Sequence, residues 1–288
     1  MKVSYYPGCS LHSTGLEYEE STQEVCQLLD IDLVELEDWN CCGAGSAHCT
    51  DETLALQLPL RNMVKAEETG LDLVVPCAAC YQRFKVAERR IRNGEEQVFD
   101  MTYDGKMPIK HLLDFLCETN NINSIQEQVK TPLKGLKPVC YYGCLLTRPP
   151  KVTGAEHHEN PVMMDNLLTL LGADVRPWSY KTDCCGGSLM LARTDIIVEL
   201  TGNLIRMAEQ AGANCIVTAC PLCQANLDTR QATISKKMDK DIYLPSFYFT
   251  ELLALALGCG ESSQWLKRHI VDPRSLLTEL SILSEYVK

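Results

Sequence analysis

Residues 72–80, DLVVPCAAC, and residues 214–223, NCIVTACPLC, carry the same pattern twice: a short apolar run that ends in a Cys-x-x-Cys pair. An apolar run of this length, rich in β-branched residues, reads as a buried strand, and the cysteines then fall where the chain leaves it. Working outward from each pair assembles two sets of five cysteines. The first is Cys9, then 31 residues, then Cys41 and Cys42 followed by Gly43, then 34 residues, then Cys77 and Cys80. The second is Cys144, then 39 residues, then Cys184 and Cys185 followed by Gly186, then 34 residues, then Cys220 and Cys223. The offset between the sets is 135 at the first cysteine and 143 at the other four, so a single eight-residue insertion separates them. The flanks repeat as well, VSYYPGC (3–9) against VCYYGC (139–144) and CCGAGS (41–46) against CCGGSL (184–189). This is an internal duplication.

Each half reads as alternating strands and helices, which defines an α/β class with short, mostly parallel sheets flanked by helices. In the first half VSYY, DLVEL (32–36) and LDLVVP (71–76) are expected strands, and 14–30 and 51–69 expected helices. In the second, DVRPW (174–178) and CIVTA (215–219) are expected strands, and 160–172 and 192–211 expected helices, stopped by Gly172 and Gly212. The segment 94–134 reads as a helix-containing connection. The expected organisation is 1–134, 135–260 and an amphipathic tail, 261–288, that packs on the body or on a partner.

The chain has 16 cysteines in 288 residues, 27 Lys plus Arg against 38 Asp plus Glu, and a net charge of −11. That charge excludes a sequence-independent phosphate-backbone binder, so no nucleic-acid partner is expected. No run of about 18 apolar residues occurs, and MKVSYYPGCS lacks the order of a signal peptide, so no membrane span and a cytoplasmic location are expected. In a reducing compartment clustered cysteines point to metal or redox chemistry. Five thiolates exceed by one the ligand set of a tetrahedral zinc or an ordinary cubane, and Gly43 and Gly186 allow the tight turn that brings both adjacent cysteines to one place. Each half is therefore read as one iron–sulfur site. Zinc in either set, a vicinal disulfide at Cys41–Cys42 and a plain CxxC redox pair stand as alternatives. Cys26, Cys49, Cys117, Cys140, Cys215 and Cys259 have no counterpart under the repeat and are expected to be small buried residues. Gly43-Ala44-Gly45-Ser46 is read as a turn, since the full dinucleotide fingerprint is missing. His12, His48, His157 and His158 are candidate proton donors or ligands. Arg148, Lys151, Lys181 and Arg193 flank the second motif and are candidates for holding an anionic substrate.

The stretches YYPGCSLH (5–12), NCCGAG (40–45), YYGCLLTRPP (141–150), ENPVMMDNLL (159–168), DCCGGS (183–188), CPLCQ (220–224) and PSFYFTELLALALG (245–258) are spread over almost the whole chain. Together they resemble the B-type subunit of heterodisulfide reductase. The cysteine motif itself, the CCG domain, also occurs in succinate, fumarate, glycolate and lactate oxidoreductases. The resemblance implies two pseudo-symmetric Rossmann-like CCG-domain repeats, each holding a noncubane 4Fe-4S cluster on its five cysteines. It implies a substrate, the mixed disulfide of coenzyme M and coenzyme B (CoM-S-S-CoB), reduced to two thiols between the clusters by one-electron transfers. Substrate contacts are then expected from Arg148, Lys181, Arg193 and His48. The chain has neither a cubane CxxCxxCxxxC run nor a convincing flavin or nicotinamide fingerprint. Electrons are accordingly expected from the other heterodisulfide reductase subunits, the C-type with cubane iron-sulfur clusters and the A-type with flavin, linked to a hydrogenase or formate dehydrogenase. The rival readings are another CCG oxidoreductase, acting on a different disulfide or linked to quinone, and a zinc-bearing structural subunit.

Overall fold

A computed structural model describes residues 1–94, 101–190, 192–259 and 264–283. The first half runs β1 (Lys2–Tyr5), α1 (Gly8–Leu11), α2 (Leu16–Leu28), β2 (Asp32–Glu35), α3 (Ala47–Thr50), α4 (Glu52–Glu68), β3 (Leu73–Val75), α5 (Ala78–Arg92), β4 (Ile109–His111), α6 (Leu112–Leu116) and α7 (Thr119–Gln128). The second runs β5 (Pro138–Tyr141), α8 (Pro150–Thr153), α9 (Met163–Leu170), α10 (Thr194–Gln210), β6 (Cys215–Thr218), α11 (Pro221–Thr229), α12 (Gln231–Met238), β7 (Ser246–Tyr248) and α13 (Phe249–Leu257), followed by α14 (Arg274–Glu279).

Two parallel sheets result, ordered β2-β1-β3-β4 and β5-β6-β7. β3 and β6 sit inside their sheets with every residue buried, which is why their sequences are continuous apolar runs instead of alternating ones. The expected helices form, trimmed at their ends. α4, for example, starts where the Asp51 side chain accepts the Leu54 N–H at 2.7 Å, and α9 starts only at Met163, beyond Pro161.

DVRPW is not a strand. Asp174 and Arg176 do donate to the carbonyls of Leu136 and Pro138, at 2.9 and 2.8 Å, along the edge of β5. Pro138, whose carbonyl faces this stretch, has no N–H to return, so the ladder stays one-sided. The Trp178 indole N–H donates instead to the Cys140 carbonyl at 2.9 Å. The stretch thus lies where β2 lies in the first half. Two strands absent from the expected set, β4 and β7, close the other edges; β4 falls inside the segment read as a helical connection.

The halves are interlocked. α13 of the second half packs on α2 of the first, with the Tyr18 and Tyr248 rings stacked 4.1 Å apart and the Ser21 and Thr250 hydroxyls 2.7 Å apart in the interior. In the reciprocal position α6 of the first half packs on α9 of the second. One hydrophobic core runs through both halves. The expected tail lies partly outside the described residues. Its described part packs on the body, with Trp265, Leu266 and Leu277 buried and the Trp265 indole N–H donating to Glu24 of α2 at 3.2 Å.

Candidate functional site

All ten cysteines of the two sets lie at the carboxyl edges of the sheets, where open α/β folds gather their sites. Cys9 sits in α1 after β1, and Cys144 in the corresponding loop after β5. Cys77 and Cys220 cap α5 and α11, whose first turns carry Cys80 and Cys223. The adjacent pairs turn through Gly43 (φ +78°) and Gly186 (φ +82°), as the spacing requires. In each pair one cysteine is buried, Cys42 or Cys185, and its neighbour exposed, Cys41 or Cys184.

Within each set the buried member of the adjacent pair touches the last cysteine. Cys42 and Cys80 Sγ atoms are 3.1 Å apart, Cys185 and Cys223 Sγ atoms 3.5 Å. The Gly43 and Gly186 N–H groups point at Cys41 and Cys184 Sγ, at 3.5 and 3.3 Å. Hydrogen bonds from Cys42 and Cys9 hold the Cys41 thiol far below the usual range, and a hydrogen bond from Cys144 lowers Cys184 to about 6 against the opposing effect of burial. The same member of each pair is thus the ready thiolate. Across the halves, the neighbouring Cys220 thiol is the largest influence holding the Cys77 thiol below its usual range. The two sets form one array.

Two further pairs of residues shape it. The Tyr6 and Tyr141 hydroxyls donate to the Asn40 and Asp183 carbonyls, at 2.8 and 2.7 Å, fixing the residue just before each adjacent pair. Both tyrosines stand three places before Cys9 or Cys144 in the repeated YY motif, so their pairing with the cysteines was visible in the sequence although their role was not. Gly8 and Gly143 both have φ near +70°, and a Cβ there would stand 3.3 Å from Cys80 Sγ or 3.0 Å from Cys223 Sγ. The backbone has been cleared for sulfur on both sides.

The donor set fits a multi-iron cluster held by soft thiolates. It contains no carboxylate or imidazole.

A small cavity of about 120 Å³ opens against the second set. All five of its cysteines line it, and the facing wall comes from the first half, including His48 of α3 and Arg83 of α5. His48 is therefore at the site. The other candidate substrate residues do not line this cavity. Lys181 is only 5% exposed, its Nζ bound to Asp165 Oδ1 at 2.8 Å and to the Pro161 carbonyl at 2.8 Å, so its charge is already satisfied inside the protein. Arg148 is held by Glu159 at 2.5 Å and Thr182 at 2.9 Å. Arg193 forms an exposed fork with Asp195 at 2.9 and 2.7 Å. Each cation has found an acid or acceptor in its own neighbourhood, and Arg83, unremarked in the sequence because it is distant from the second motif, takes the position at the cavity. Lys151 is exposed. His12 packs edge-on against Trp39 and pairs with Glu35 at 3.3 Å. His157 lines a separate cavity of about 540 Å³, which no cysteine lines, and His158 faces Glu159 at 3.7 Å.

Of the six cysteines outside the repeat, Cys26, Cys140 and Cys215 are buried, as expected. Cys117 and Cys259 are half-buried, and Cys49 is exposed. Cys49 lies on α3, a single turn that turns only Ala47 inward.

A duplicated α/β fold with two thiol arrays meeting at the strands' carboxyl edges defines a cysteine-rich protein of the redox type. The chain belongs to the CCG family of cysteine-rich domains, whose model matches residues 3–85 and 139–228. It is 30% identical to the 8-methylmenaquinol:fumarate reductase membrane anchor subunit of Wolinella succinogenes, over 96% of this chain and 99% of that one. It is 28% identical to the B-type subunit of the ferredoxin/F420H2-dependent CoB-CoM heterodisulfide reductase of Methanosarcina acetivorans, over 98% of both chains. A lactate utilization protein A from Bacillus pumilus matches at 23% identity over 82% of this chain and 94% of that one. Among solved structures, a hypothetical protein from Helicobacter pylori superposes with a TM-score of 0.75 at 11% identity, over 94% of this chain; this chain spans about half the length of that one, 52%. That likeness concerns the fold alone. Among the described residues no helix is long and apolar enough to cross a membrane.

Proposed function

We propose that this chain is the disulfide-reducing subunit of a cytoplasmic complex of the heterodisulfide reductase type. Cys9, Cys41, Cys42, Cys77 and Cys80 would hold one noncubane 4Fe-4S cluster, and Cys144, Cys184, Cys185, Cys220 and Cys223 the other. The observation that carries the reading is the cavity that all five cysteines of the second set line together with residues of the first half. The substrate is CoM-S-S-CoB, and the reaction takes up two electrons and two protons to give two thiols.

Bound clusters supply electrons singly. The chain's own residues do the rest. The N-terminal turns of α5 and α11 direct backbone N–H groups and their positive dipole ends at the CxxC sulfurs, offsetting negative charge. Tyr6 and Tyr141 hold the adjacent cysteines in register. His48 is the imidazole in the cavity wall, suited to passing a proton to a departing thiolate. Electrons arrive from the C-type partner, with cubane clusters, and the A-type partner, with flavin, and ultimately from a hydrogenase or formate dehydrogenase. Similarity to the B-type heterodisulfide reductase chain over 98% of both chains supports this assembly.

A second reading, a quinol-linked subunit, is favoured by the 30% identity to the fumarate reductase subunit over 99% of its length. Purification without oxygen followed by measurement of iron, acid-labile sulfide and zinc tests the cofactor first; about eight irons and eight sulfides per chain are expected. Zinc without sulfide would overturn it. Cluster spectra that change with coenzyme M or coenzyme B, and not with a menaquinol, favour disulfide reduction; the opposite pattern favours the quinol.

A further inference from the structure

The duplication predicts equivalent residues three places after each CxxC pair, and there the halves part. The first half has Arg83 and the second Asn226. Asn226 is fully buried and its Nδ2 donates to the Cys185 carbonyl at 3.1 Å, bracing the second set from behind. Arg83 is half-buried and lines the cavity of the second set from across the interface, where among the described residues it is the one Lys or Arg in the wall. Its Nε and Nη2 both donate to Gln82 Oε1, at 2.8 and 2.6 Å, which fixes the guanidinium plane. Among the described residues it has no carboxylate partner.

A guanidinium is an awkward neighbour for a purely structural wall of Ala44, Ala78, Ala79 and thiols, because its burial costs solvation that no ion pair returns. In a chain of net charge −11 an anionic ligand also needs a local positive group. From this we infer that the cavity is an anion-recognising subsite: Arg83, supplied by the first half, holds a sulfonate or carboxylate on one end of the substrate and presents the attached sulfur to the second cysteine set. The inference rests on the disulfide reading and deepens it. With Asn226 in the mirrored place, only one end of the substrate is recognised in this way, which suits a disulfide with two unlike halves. At about 120 Å³ the space corresponds to roughly four water volumes, enough for a small anionic head on a short stem.

The test is binding, measured by calorimetry and by the cluster spectrum on the anaerobically purified, cofactor-loaded protein. The probes are 2-mercaptoethanesulfonate and its uncharged analogue 2-mercaptoethanol, used with the wild type, Arg83→Gln and Arg83→Lys; iron content and circular dichroism verify that each variant is folded and loaded. The wild type should bind the sulfonate thiol at least about tenfold more tightly, Arg83→Gln should bring the two thiols within about twofold, and Arg83→Lys should keep part of the preference. No preference in the wild type, or a preference that survives in Arg83→Gln, would overturn the subsite. Disulfide turnover is measured in parallel. If turnover is absent but the Arg83-dependent preference is present, the disulfide reading fails and the subsite stands; turnover with a KM unchanged in Arg83→Gln refutes the subsite and leaves the reading.

Discussion

In the first half the residue after the CxxC pair is Tyr81, whose hydroxyl reaches across to the Thr153 carbonyl at 3.3 Å; in the second it is Gln224, whose amide lies 3.3 Å from His269 Nδ1 and donates to the Ser246 carbonyl at 2.9 Å. The first helix is thus steadied by the other half, and the second by the C-terminal segment. The same division appears three residues after each pair, where Arg83 faces the cavity and Asn226 faces the core. The cysteine positions were copied by the duplication, while the residues around them diverged. A duplicated cysteine site can in this way acquire one cavity-facing cation without altering either cysteine set.

The largest effects test whether the two sets are equivalent as ligands. Cys80→Ser or Cys223→Ser should each remove about half of the iron and sulfide and lower turnover by at least about a hundredfold. If either variant kept its full iron, the assignment of that cysteine as a ligand would fail.

Next come the glycines behind the last cysteine of each set. The Cβ of Gly143→Ala would stand 3.0 Å from Cys223 Sγ, against 3.3 Å from Cys80 Sγ for Gly8→Ala. Both carry the strain of a left-handed backbone, roughly 1–2 kcal/mol, but Gly143→Ala should lose iron first and more completely. Equal iron contents would show that the second site is no tighter than the first.

A smaller, pH-dependent effect should come from the second half's anchor. Burial alone would push His269 down, but the Glu251 carboxylate 2.7 Å away raises it to about 9. Its folded value exceeds the unfolded value of about 6.5, so the stabilisation is fully present below that pH and is lost as the pH rises through 9, a change on the order of 3 kcal/mol. Denaturant unfolding at pH 6, 8 and 10 measures it, and His269→Gln should flatten that profile; an equally steep profile in the variant would place the titration elsewhere.

The smallest effect is expected from Arg193→Ala. Its fork with Asp195 is exposed and away from the cavity, so the substrate KM should change by less than about twofold. A larger change would bring Arg193 back as a substrate contact.

The duplication, the ten cysteines, the positive-φ turns at Gly43 and Gly186, and the long helices were all legible in one dimension, because motif spacing and apolar periodicity are local properties of the chain. Even the missed edge strands left a trace. PIKHLLDFL (108–116) and PSFYFTELL (245–253) repeat at an offset of 137, with His111 and Tyr248 both at helix N-caps. Three-residue strands carry too little periodicity to be seen without that alignment. DVRPW failed as a strand for a reason outside itself, the absent N–H of Pro138 on its neighbour. What only the tertiary structure decided was which residues meet across the pseudo-twofold interface. Arg83 reached the second site, Lys181 was taken up by Asp165, and Cys77 met Cys220, because contacts between residues far apart in sequence are set by how the two sheets and their exchanged helices pack, and a motif read alone carries no record of its neighbours in space.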